Sequence, residues 1–128
     1  MPIAAEAAVA LVSSALATRV RPFARLVAPV TVRAAPSYSE AGVAMLAGIV
    51  ARVARLMPFP ARCLQQALAL RTLLARRGVV SVLHYGLLTE NEGNLAGHVW
   101  LSVGGRVVIG AERAREFAEV ATFPVRQA

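Results

Sequence analysis

PARCLQQALALRTLLARRGVVSVLHYGLL, residues 60–88, changes character half-way along, and that change sets the fold class. In its first part Cys63, Leu64, Ala67, Leu68, Leu70, Leu73 and Leu74 recur at helical spacing and form one wide apolar stripe. Gln65, Gln66, Arg71, Arg76 and Arg77 fall mostly off that stripe. Pro60 suits the first turn of a helix, arginines suit the negative end of the helix dipole, and Gly78 supplies a C-terminal stop. From Val79 to Leu88 the residues turn β-branched, aromatic and aliphatic, which predicts a strand.

The same reading extends outward in both directions. Residues 3–18 are alanine-rich and helical in propensity. Pro22, Pro29 and Pro36 then forbid one continuous helix, and the stretch VAPVTVRAAP between them gives no clear pattern. Ser37 and Glu40 have capping-box spacing, followed by an apolar-periodic run of Val43, Leu46, Ala47, Val50, Val53 and Ala54 that must stop before Pro58. Downstream, TENEGN (89–94) predicts a polar loop. HVWLSV and RVVIG predict two strands joined at Gly104-Gly105, a two-residue hairpin signal. Alternation puts His98, Trp100 and Ser102 on one face and Val99, Leu101 and Val103 on the other. AERAREFAEV predicts a closing short helix. Helices first and an antiparallel sheet after them make an α+β layout. The expected organisation is one domain over residues 1–128, with a Pro-punctuated helical segment (1–36) before the core (37–128).

Composition narrows the function. Of 128 residues 57% are hydrophobic, which argues against disorder. All fourteen basic residues are arginine, all seven acidic residues are glutamate, and the net charge is +7. The arginines are scattered singly or in pairs and only 5% of residues are aromatic, so stacking platforms for nucleic acid are poorly represented and no such partner is expected. One cysteine excludes an intramolecular disulfide, and with two histidines it makes a structural zinc site unexpected. No cofactor is expected. At the start, SALA resembles a signal cleavage site, but Glu6 replaces the positive n-region and the arginines follow the apolar run. The uncharged stretch 7–18 is too short to span a bilayer. A cytoplasmic chain without a transmembrane segment is expected.

The chemistry rests on Cys63 in a first helical turn and His98 on a strand. A thiol attacks as its thiolate, and the N–H groups of a helix start favour that anion. A nearby imidazole can take the proton and return it to a leaving group, and the same N–H groups can stabilise an oxyanion. Spacing alone leaves two readings of Cys63 open, nucleophile or packing residue. His84 and His98 are likewise open to a purely structural reading.

The run RLMPFPARCLQQALALRTLLARRG, then a strand, then GHVWLSVGGRVV, resembles the transglutaminase-like, papain-like lasso-peptide biosynthesis B proteins, and more closely their stand-alone leader peptidases of the B2 type. The matching positions are Pro58, Cys63-Leu64, Ala67 to Leu70, Arg76-Arg77-Gly78, Gly97-His98-Val99-Trp100 and Gly105-Arg106-Val107, within roughly residues 45–123. The resemblance implies N-terminal helices on a small antiparallel sheet, and a cysteine peptidase that removes the leader from a ribosomally made precursor. Cys63 is then the nucleophile and His98 the general base and acid. The implied partners are the precursor leader, a separate leader-recognition protein of the B1 type, and the lasso cyclase that receives the freed core.

One feature departs from the family pattern. The third catalytic residue is usually an aspartate after the hairpin, and this chain has none; the matching place falls at or near Gly110. Glu112, two positions on, is the nearest carboxylate to orient His98. A Cys–His dyad with a backbone carbonyl, or an amide such as Asn91 or Asn94, is the alternative, and an impaired site is the third. Gln65 and Gln66 follow the cysteine, whereas the oxyanion glutamine of papain-like enzymes precedes it, so neither takes that role. Trp100 either walls the site or fills the core, and His84 is read as structural. A scaffold of the same fold, and acyl transfer to an amine on the same thiol, are the competing functions.

Overall fold

The computed structural model describes residues 2–20, 31–32, 39–57, 63–89, 93, 95–110, 117–124 and 126–127. Three helices come first among them: α1 (Ile3–Val20), α2 (Glu40–Leu56) and α3 (Cys63–Arg76). A short strand β1 (Thr31–Val32) lies between α1 and α2. The strands β2 (Val82–Thr89), β3 (Leu95–Val103), β4 (Arg106–Ile109), β5 (Ala118–Pro124) and β6 (Arg126–Gln127) follow α3. Strands β4-β3-β2-β5 form an antiparallel sheet in that order, and β1 pairs in parallel with β6. The α+β layout with helices on a small antiparallel sheet is what the chain adopts.

Local chemistry explains most boundaries. The cap of α2 is Ser39, whose Oγ accepts from the Gly42 N–H at 3.0 Å. Ser37, the expected cap, lies outside the described residues. Val43, Leu46, Ala47, Val50 and Ala54 of α2 are buried, and the helix ends at Leu56. α3 closes through a Schellman arrangement: Gly78 has φ +76°, its N–H donates to Ala75, and the Val79 N–H donates to Leu74. The Gly104-Gly105 turn has both φ positive, as a type I′ hairpin requires.

Three expectations need correction. Arg71, placed off the apolar stripe, is buried at mid-helix. The strand expected from Val79 begins at Val82. Residues 118–120, expected to close a helix, are the start of strand β5, while 111–116 lie outside the described residues. Ala, Glu and Arg favour a helix intrinsically. Pairing with β2 through six residues overrides that preference, and Phe123 from β5 packs on the core.

The core lies between the helices and one sheet face. Leu68, Leu70, Leu73 and Leu74 of α3 cluster with Leu46 and Val50 of α2, Leu11 of α1, and Leu83, Val99, Leu101 and Ile109 of the sheet. α3 packs most extensively on α1; within the sheet it lies mainly over β3 and also touches β4. Because only residues 77–81 connect α3 to β2, the helix runs antiparallel to β2 and hence along β3. Its 14 residues span about 20 Å. That length carries Cys63 toward the end of β3 where His98 lies.

Candidate active site

Cys63 is the first residue of α3, half-buried, with a free thiol that packs against the core cluster. His98 lies near the start of β3 opposite Gly86 of β2. The alternation read from the sequence holds: Val99 and Leu101 enter the helix-facing core, so His98, Trp100 and Ser102 stand on the other sheet face. The structure therefore carries Cys63 and His98 on packed elements but on different sides of β3. Among the described residues, no hydrogen bond links the thiol to the imidazole.

β4 pairs only with Leu101 to Val103, so the β4 side of residues 95–100 has no strand partner among the described residues. Gly97, on the helix-facing side, is exposed, so the helical cover stops short of it. Gly110 lies against β3 on the β4 side, close to Val99 and Trp100.

The His98 ring is buried and held. Its Nε2 lies 2.9 Å from the Gly110 carbonyl oxygen. A carbonyl only accepts, so Nε2 carries a proton and neutral His98 presents an unprotonated Nδ1. Phe117 packs at 5.2 Å between ring centroids and Trp100 at 5.8 Å. Gly110 itself has φ +81°. Glu112, Asn91 and Asn94 lie outside the described residues, so the described partner of His98 is the Gly110 backbone carbonyl.

Trp100 is buried, yet it stands outside the helix–sheet cluster and walls the His98 face. Its ring reaches over Gly86, where a Cβ would meet the indole and Phe117 at 2.8 Å. A glycine inside a strand pattern is the sequence signal for such a close approach.

The family follows from the chain as a whole. Residues 8–122 match the family model of the transglutaminase-like superfamily. The chain belongs to that superfamily. A search of curated proteins and of solved structures found no match. Transglutaminase-like proteins are typically cysteine-dependent enzymes, peptidases and acyltransferases among them. In this transglutaminase-like domain, no helix among the described residues is long and apolar enough to cross a membrane. No group of three or more His, Cys, Asp or Glu side chains able to hold a metal ion occurs among the described residues.

One further cluster shares the His98 face and escaped sequence reading. His84 bonds through Nε2 to Ser102 Oγ at 2.6 Å and through Nδ1 to the Glu119 carboxylate, and it stacks on Trp100. Finding it required the β2–β3 register and β5 as a strand. A helical reading of residues 111–120 conceals the second.

Proposed function

We propose that this transglutaminase-like domain is a cytoplasmic cysteine peptidase that removes the leader from a lasso-peptide precursor, with Cys63 as nucleophile and His98 as general base and acid. The observation that carries the reading is the His98–Gly110 bond, which leaves Nδ1 as the basic nitrogen and fixes the ring. Nδ1 takes the thiol proton as Sγ attacks the scissile carbonyl, then returns it to the departing amine; water resolves the thioester by the same route. The Gly110 carbonyl replaces the usual aspartate as orienting group, as a neutral acceptor that stabilises the imidazolium less than a carboxylate does. Because Cys63 and His98 stand on different sides of β3, catalysis requires the thiol and Nδ1 to come together when the precursor is bound. The precursor is presented by a separate leader-recognition protein, and the freed core passes to the cyclase.

The packing of Cys63 against the core favours one rival, a non-catalytic binding module that gathers precursor and partner. Cleavage of precursor in the presence of the leader-recognition protein separates the two. Cys63→Ala is expected to abolish cleavage while leaving the complex intact on a sizing column. Cleavage surviving in that variant rejects the nucleophile. Absence of cleavage by the wild-type chain with every component present selects the binding module.

A further inference from the structure

Ser102, His84 and Glu119 stand on three adjacent strands, β3, β2 and β5, on the sheet face turned away from the helices. Their hydrogen bonds run in the order hydroxyl, imidazole, carboxylate. The carboxylate accepts from Nδ1–H, so Nε2 is the unprotonated nitrogen, and it accepts from the Ser102 hydroxyl at 2.6 Å. This is the constellation that activates a serine: a base within hydrogen-bond reach of the hydroxyl, oriented in turn by a third group. It is separate from Cys63 and His98.

The geometry points to a second acyl-transfer site, in which Ser102 is the nucleophile, His84 the base and Glu119 the orienting carboxylate, acting on small uncharged acyl esters. Ser102 Oγ bonds to the acyl carbon as its proton passes to His84 Nε2, and Glu119 stabilises the imidazolium. The C–O bond to the alcohol breaks, and the alcohol leaves with the proton from Nε2. Water then attacks the acyl-serine with His84 again as base, releasing the carboxylic acid and restoring the hydroxyl. Substrate size follows from exposure. Ser102 is 6% exposed and the His84 side chain 16%, so only a short acyl group reaches the oxygen. The indole of Trp100, parallel to the His84 ring at 5.5 Å, offers that group an apolar wall.

The test uses the full chain carrying Cys63→Ala, which removes the only thiol, with p-nitrophenyl acetate and methanesulfonyl fluoride as probes. Peptide mapping by mass spectrometry is expected to find one adduct, on Ser102, absent from the additional Ser102→Ala variant. Glu119 is 47% exposed, so Glu119→Gln is expected to fold; it and His84→Gln are expected to slow acylation about a hundredfold, the usual worth of a positioned base. Melting curves confirm that each variant is folded. No adduct on folded protein, an adduct elsewhere, or equal rates with and without His84 and Glu119 overturns the proposal and leaves the three side chains a structural network. The leader-peptidase reading is untouched by either result.

Discussion

At Gly110 the backbone has φ +81°, and a Cβ there would lie 2.9 Å from the Val99 carbonyl oxygen and 3.0 Å from Trp100 Cβ. Both facts exclude a side chain unless the backbone moves. The described acceptor of His98 is therefore built out of the backbone, in a conformation that favours glycine. Gly110→Asp is expected to lose about 1–3 kcal/mol of stability from the left-handed backbone alone. Trp100, the only tryptophan, reports the unfolding directly by fluorescence. A Gly110→Asp protein that melts with the wild type contradicts the assigned geometry. The sequence displayed the glycine, but not the reason for it, because that depends on how closely β3 passes.

Between elements, the clearest electrostatic tie joins α1 to the end of α3. Glu6 accepts from Arg77 at 2.8 and 3.1 Å and from Arg76 at 3.4 Å. Chiefly the Arg77 hydrogen bond holds the Glu6 carboxyl below its ordinary range, against the opposing effect of burial. A carboxylate with a lowered folded-state pKa stabilises the fold above the ordinary carboxylate range, and that contribution disappears as pH falls through it. Stability should therefore drop as pH is lowered from about 6 to about 3, with about 1 kcal/mol of the drop owed to this cluster. Glu6→Gln is expected to flatten that part of the profile, measured by urea unfolding at each pH. Identical profiles for both proteins dismiss the tie as an energetic feature. Sequence periodicity gave the helices themselves, because leucine and valine stripes repeat over several turns in α2 and α3. It could not give β5, where helix-favouring residues are held in a sheet by pairing, or Arg71, whose burial depends on which helix face its neighbours cover.

For the whole molecule, the order of elements was legible and the crossing of the sheet was not. Helices before an antiparallel sheet, a helix opening at Cys63, and a histidine strand with a Gly-Gly return were all readable from local pattern. The β1–β6 pairing, which joins the stretch before α2 to the far end of the chain, involves partners some 95 positions apart, and no local signal reports it. The side of β3 facing α3 is also a global fact, and it decides how the proposed nucleophile meets its base. Val99 and Leu101 claim the helix side, so His98 stands on the sheet face away from Cys63. If the two come together in solution, the imidazole can take the thiol proton as sulfur attacks, and Cys63 should be alkylated by iodoacetamide with the help of His98. His98→Ala is expected to slow that alkylation at least about tenfold. Both proteins should react equally once unfolded in guanidinium, which separates the effect of the pair from that of the helix start alone. Equal rates in the folded proteins would mean that the sheet keeps sulfur and ring apart, and the catalytic assignment of His98 would fall with them.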